Sequence, residues 1–224
     1  MLRRMATPRI VLHGYWRSSS TYRVRFALAV KGLAYETEAV DLLKGEQGSP
    51  EHKARSAMGY VPCLVLDGEP FVESVAIIEL LDELFPSPPL YPREPFDRAR
   101  VRAIVEVVAA DIQPLQNRHV LLHVSKDPEA QRTWSRHFVA RGLAGLEGLL
   151  ERYAKAGVAG RYAYGDTITA ADVFLVPQLY NARRFGVDLA PYPRVVAAET
   201  AALATEAAQK ALPENQPDAP RDAK

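Results

Sequence analysis

The chain has 224 residues, 48% of them hydrophobic and 25% charged, enough for one large domain or two small ones around a substantial core. Its 28 Lys and Arg stand against 27 Asp and Glu, a formal net charge of +1, and no basic run of five or more residues occurs, so neither nucleic acid nor an anionic membrane is an expected partner. No segment approaches the ~18 consecutive apolar residues of a spanning helix, and the single cysteine, Cys63, excludes an intrachain disulfide, so the expected location is cytoplasmic.

Arg3 and Arg4 lie near the start, but the Pro8-Arg9-Ile10-Val11-Leu12-His13 that follows is too short and broken for a signal-peptide core. Ile10 to Leu12 reads as a strand, about Ser20 to Lys31 as a helix and Tyr35 to Val40 as a second strand. Between the first two lies Arg17-Ser18-Ser19-Ser20-Thr21. Hydroxyls at a strand-to-helix junction cap the helix, and they also place donors at the positive end of its dipole, where a thiolate or other anion is stabilised. Cys63 to Leu66 and Phe71-Val72 flank an Asp67-Gly68 turn and predict a hairpin, and Val75 to Phe85 predicts a helix. The order is βαβ, then ββα. Pro62 at the start of a strand cannot donate to the ladder, and a cis bond after Val61 would place a turn there and expose the Val61 backbone to an extended ligand. Glu73-Ser74 opens the next helix, Ser74 suiting a carboxylate and Glu73 an ammonium.

Five prolines in the ten positions from Pro86 to Pro95 forbid regular hydrogen-bonded structure and predict a linker. Beyond it only helical periodicity is convincing. Val101, Val105, Val108 and Ile112 share one stripe, and Trp134, Phe138, Leu146, Leu150 and Tyr153 another. Pro114 and Pro177 are each expected to kink a helix or end it within a turn. Gly142, Gly145 and Gly148 suggest close helix packing, and Thr169-Ala170-Ala171-Asp172 has capping-box spacing. The polar, proline-rich tail from Pro213 to Lys224 is expected to be extended or loose. His119 and His123 are four apart but lack a third ligand, so no metal is expected. Cys63 lacks the partner of a Cys-x-x-Cys motif and reads as core, and no Gly-x-Ser-x-Gly elbow supports a serine hydrolase.

Together the Val-Pro, the acidic-Ser helix start, the proline-rich linker, the helical second part and the capping box resemble a cytosolic glutathione transferase. Arg17 to Leu28, Ile112 to Asn117, Ala182 to Leu189 and Gln216-Pro217-Asp218-Ala219 are similar to the zeta class, over about residues 9 to 220. The resemblance implies an α/β thioredoxin-like domain with a mixed four-stranded sheet at 8–88, a linker at 89–96, an all-α domain at 97–213 and a polar tail at 214–224. It implies glutathione as cofactor and cis–trans isomerisation of maleylacetoacetate or maleylpyruvate by reversible thiolate addition to the double bond. Transfer chemistry on α-haloacids and non-catalytic glutathione binding are the alternatives, and a homodimer is expected. By motif position Ser18 or Ser19 would stabilise the thiolate, with Ser18 first, and Ser20 would join them in binding the cofactor. Gln47, Val61, Pro62, Glu73, Ser74, Gln113 and Asn117 would hold the tripeptide, and Arg17, Arg118, His119 and Arg184 the substrate. Three positions depart from the class pattern: Ser20 replaces a common Cys, Glu73 a common Gln, and Ser56-Ala57 the usual Asn-Pro.

Overall fold

A computed structural model describes residues 8–221. The early arginines, Arg3 and Arg4, and the last three residues of the tail lie outside the described residues. The chain forms two compact units, one of residues up to Pro88 together with those from Ala207 on, the other of Pro89–Glu206.

The first unit runs β1 (Ile10–Gly14), α1 (Ser19–Val30), β2 (Glu36–Ala39), α2 (Pro50–Lys53), β3 (Cys63–Leu66), β4 (Glu69–Val72) and α3 (Ser74–Leu84). The four strands make one mixed sheet in the order β2-β1-β3-β4, with β1 and β2 parallel and the other pairs antiparallel. This is the expected βαβ–ββα plan. The short α2 and a 3-10 turn at Glu46–Gly48 were not expected, because three or four residues are too few to show a period.

Helix α1 has no polar face. Nine of its twelve residues are buried, Arg23 and Arg25 among them, as in a helix enclosed on all sides. It packs on α3. The buried Lys31 ammonium joins their ends, donating to Asp82 Oδ1 (2.5 Å) and to the carbonyls of Phe85 (2.7 Å) and Pro88 (2.8 Å). These three acceptors match its three N–H donors. The Val61–Pro62 bond is cis, as expected.

The tail is not loose. After α9 (Glu206–Ala211), Pro213 and Gln216 are buried. The Gln216 amide donates to the Lys210 and Leu212 carbonyls, and Asn215 Nδ2 to Gln209 O. Glutamine and asparagine side chains thereby satisfy the open C-terminal carbonyls of α9, a role that composition alone reads as polarity.

The second unit is all-helical, as expected: α4 (Pro95–Glu106), α5 (Arg118–Val124), α6 (Pro128–Lys155), α7 (Ala170–Phe185) and α8 (Pro193–Leu203). α4 runs into a π turn at Val107–Ile112 and a 3-10 turn at Gln113–Gln116, where Pro114 stops the helical ladder. Val101, Val105, Val108 and Ile112 are fully buried. On α6 the buried stripe is Ser135, Val139, Leu143, Leu146, Leu150 and Tyr153. Trp134 and Phe138 are half-buried and flank that stripe rather than lie in it, Trp134 Nε1 donating to Leu115 O and the two rings tilted at 52° with centroids 4.6 Å apart. Of the three glycines only Gly142 permits a close approach: a Cβ there would fall 2.1 Å from Ile112, whereas Gly145 and Gly148 have nothing within 4 Å. Pro177 does not end α7, which continues to Phe185. Burial of Ala170 to Leu179 outweighs the one backbone bond that proline removes. At the start of α7 the buried Asp172 carboxylate accepts from Thr169 N–H (2.9 Å), Thr169 O–H (3.2 Å) and Ala163 N–H (2.8 Å). The capping box is therefore present.

Candidate active site

Strand register gathers three motif strings at one end of the sheet. His13 pairs with Cys63, and Cys63 with Val72. The end of β1, the start of β3 and the end of β4 are thus side by side. The chain leaves β1 for the hydroxyl run and α1, enters β3 through Val61 and Pro62, and leaves β4 for Glu73 and α3.

Ser18 is the cap of α1. Its backbone is extended (φ −68°, ψ 120°), and its Oγ accepts from the Thr21 N–H at 3.2 Å. One lone pair therefore serves the helix, and the hydroxyl proton remains to donate outward. Ser18 N–H donates to Tyr15 O (3.0 Å), closing a turn, and Ser18 O accepts from Tyr22 N–H (2.8 Å). The amides of Ser19 and Ser20 lie in the first turn, where a helix supplies no acceptor. Ser19 is buried, and Ser18 and Ser20 are half-buried. A hydroxyl donor, two open amides and the positive helix end form a cradle for one anion. Arg17, half-buried, lies 5.3 Å over the Trp16 ring at the same turn.

A second cradle stands at α3. Glu73 adopts φ 66°, the left-handed region that a non-glycine residue seldom occupies. Ser74 is buried, and its Oγ accepts from Arg23 Nη1 at 3.2 Å. Arg23 is 1% exposed. Burial pushes its guanidinium down to about 9, against the favourable charge of Glu73. A buried cation thus underlies an open helix N-terminus with an exposed carboxylate beside it, which matches the carboxylate and ammonium of an α-amino acid. Sequence reasoning missed Arg23. The signal was available as Arg23-Val24-Arg25 inside an apolar run, two cations with no polar face to occupy.

The loop that carries Gln47 and the loop that leads to Val61 meet at Gly59. Gly59 has φ +65°, and a Cβ on it would sit 2.8 Å from Gln47 O, so only glycine allows the two loops to meet. The loop to Val61 is held by Ser56, whose Oγ accepts from Tyr60 N–H (3.2 Å) and whose carbonyl accepts from Gly59 N–H (2.7 Å). His52 Nε2 donates to Tyr60 O (2.9 Å). The Ser56-Ala57 departure therefore keeps a turn-forming role. Gln47 Oε1 is buried without a hydrogen-bond partner, an acceptor left over by the protein. Val61 is half-buried and Pro62 buried.

The remaining candidates belong to the helical unit. Gln113 and Asn117, both half-buried, bracket the 3-10 turn, and the exposed Arg118 and His119 open α5. One bend thus gathers these four. Arg184 stands on a separate helix, exposed in the last turn of α7, with Nη1 donating to Asn181 Oδ1 at 2.8 Å. Its neighbour Arg183 is instead held by Glu199 through two bonds of 2.5 and 2.6 Å. His119 and His123 share α5, and among the described residues no group of three His, Cys, Asp or Glu is placed to hold a metal ion. Cys63 is fully buried, and burial pushes its thiol up, which disfavours the reactive thiolate. A cleft of about 660 Å³ on the sheet between His13, Glu38, His52 and Arg55 contains none of the candidate residues.

Two family models match the chain: the glutathione S-transferase N-terminal domain over residues 12–89 and the C-terminal domain over residues 133–197. The chain belongs to the glutathione S-transferase family. Within the family it is similar to maleylacetoacetate isomerase of Rhizobium meliloti (strain 1021), 45% identical over 208 residues, 91% of this chain and 96% of that protein. A crystal structure of maleylacetoacetate isomerase from Anaeromyxobacter dehalogenans 2CP-1, with bound glutathione, superposes with a TM-score of 0.86 at 48% identity, covering 96% of this chain and all of that one. A bacterial zeta-class maleyl pyruvate isomerase superposes with a TM-score of 0.90 at 40% identity, over 94% of this chain and all of that one. The two cradles of this transferase lie in the part matched by the N-terminal family model.

Proposed function

We propose that this glutathione S-transferase is a glutathione-dependent cis–trans isomerase acting on maleylacetoacetate, with maleylpyruvate as the alternative substrate. The observation that carries the reading is the pair of helix N-termini at one end of the sheet, one with a serine O–H available to a thiolate, the other underlain by a buried guanidinium. The chain's likeness to maleylacetoacetate and maleyl pyruvate isomerases over nearly its whole length supports it.

The donor set fits glutathione. The Ser74 helix end and Arg23 suit the γ-glutamyl carboxylate, and Glu73 the ammonium. Gln47 Oε1 offers its unmatched acceptor to a peptide N–H, and the Val61 backbone pairs with an extended chain. Bound glutathione supplies the sulfur nucleophile, whose reversible addition to a cis double bond leaves a single bond free to rotate. Ser18 O–H and the open amides of Ser19 and Ser20 hold the thiolate by hydrogen bonds that favour the ionised form. From the helical unit, Gln113 and Asn117 are assigned to the tripeptide. Arg118, His119 and Arg184, with Arg17 of the first unit, are assigned to the substrate's carboxylates and enolate oxygen, which guanidinium groups orient by paired bonds.

We further place the enzyme in the cytosol as a homodimer. Its one cysteine is buried, and among the described residues no helix is long and apolar enough to cross a membrane. The test is the change in enedione absorbance as maleylacetone goes from cis to trans, with and without glutathione. Turnover only with glutathione is the expected result. Dehalogenation of chloroacetate without isomerisation would transfer the site to haloacid chemistry, and glutathione binding without either activity would leave a binding protein.

A further inference from the structure

Two parts of the sequence have no role in the chemistry assigned above, Arg25 of α1 and the Gln216-Pro217-Asp218 string near the carboxyl end. The structure brings them to the backbone of one residue, Trp16. Trp16 N–H donates to Asp218 Oδ2 at 2.8 Å, and Trp16 O accepts from Arg25 Nη2 at 2.8 Å. Arg25, 2% exposed, also donates through Nε to Ala211 O (3.3 Å) and lies 5.5 Å over the Tyr22 ring. Both backbone polar groups of Trp16 are therefore committed to side chains, one from the tail and one from the helix the turn leads into.

Trp16 and its two flanking peptide groups lie inside the Tyr15–Ser18 turn, closed by Ser18 N–H on Tyr15 O. The turn sets where the Ser18 hydroxyl stands relative to the first amides of α1. We propose that Asp218, with Arg25, is a positioning residue for the thiolate cradle, through the Trp16 backbone. The proposal rests on the assignment of Ser18 as thiolate donor and deepens it. The carboxylate touches neither sulfur nor substrate. It acts by a charge-assisted hydrogen bond to a backbone amide, the kind that loses most when its acceptor is removed. Burial pushes the Arg25 guanidinium down to about 10, opposed by Tyr35, Asp218, Tyr22 and Glu214, two of which belong to the tail.

The test compares Asp218→Ala, Asp218→Asn and Asn215→Ala in the full chain. Asn215→Ala loosens the same tail, at Gln209 O, without touching Trp16. The readouts are the pH titration of the bound glutathione thiol by ultraviolet absorbance, kcat for maleylacetone below that midpoint, KM for glutathione and thermal stability. Asp218→Ala raises the thiol midpoint by about one pH unit and lowers kcat about tenfold, the size expected for one misplaced charge-assisted bond, with KM for glutathione changed less than about twofold. Asp218→Asn, which keeps an oxygen for the Trp16 amide but not the charge, recovers part of both, and Asn215→Ala lowers stability without moving the midpoint. The proposal is overturned if Asp218→Ala titrates as wild type, if the Asn variant is no better than the Ala variant, or if Asn215→Ala moves the midpoint equally. A shift in Ser18→Ala alongside none in Asp218→Ala removes only the positioning role, whereas an unshifted thiol in the wild type removes both readings.

Discussion

Ser18 serves two masters, the helix through its lone pair and the sulfur through its proton, and substitutions can separate them. Ser18→Ala removes both. Losing the 3.2 Å bond to Thr21 N–H costs about 1 kcal/mol of stability, typical of an N-cap. Losing a donor to a thiolate costs about 1.5–3 kcal/mol, a fall in thiolate population of roughly tenfold to a hundredfold at a pH below the midpoint. Ser18→Asp keeps a good cap, because a carboxylate accepts from the Thr21 N–H and favours the helix's positive end. It also sets a negative charge where the sulfur anion belongs. The expected pattern in urea denaturation and maleylacetone turnover is therefore crossed: Ala is less stable and slow, while Asp is as stable as wild type and slower than Ala. Ser18→Thr retains both properties. Full turnover by the Asp variant, or by the Ala variant, would refute the reasoning. If Ser19→Ala alone abolished turnover, the donor role would pass to Ser19.

Gly59→Ala forces a side chain into a left-handed conformation, at about 1–2 kcal/mol, and against Gln47 O at 2.8 Å. It should lower the urea midpoint and raise KM for glutathione while sparing kcat at saturation, and an unchanged KM would contradict the contact. Burial raises Asp172 to about 6, above its unfolded value near 4, so the folded state binds the extra proton between them. The stability this group contributes is full below about pH 4 and lost as pH rises through about 6, so Asp172→Asn should flatten that part of the stability profile, and parallel profiles would count against it. Cys63→Ser should keep turnover within about twofold, and native Cys63 should resist alkylation until urea unfolds the chain.

The sheet and both cradles were legible because each rests on local chemistry: alternating or continuous apolar runs, hydroxyls at helix starts, a proline at a strand entry. Val101 to Ile112 was legible for the same reason. Invisible features depended on contacts remote in sequence. Arg23 and Arg25 stand in an apolar run that signals burial, but their partners at Ser74 and Trp16 come from the fold, and Gln216 and Asp218 look like loose polar tail until their partners at Leu212 and Trp16 are known. Trp134 and Phe138 satisfied the helical period, yet a period cannot say which edge of an apolar arc faces inward. Gly142 was readable as a packing glycine only beside Ile112, and its two neighbours in the series meet nothing. Arg184 was readable as a cation and is placed by α7, and its contact with Asn181 three residues earlier follows from helical geometry.

The central claim concerns the charge on a bound sulfur, and the pH titration of the glutathione thiol in the wild-type complex measures it directly. The account predicts half-ionisation at least about one pH unit below the ~8.5 of a free cysteine thiol, with the shift abolished when Ser18 and Ser19 are both alanine. A bound thiol that titrates like the free one, or a shift that survives loss of both hydroxyls, would contradict it.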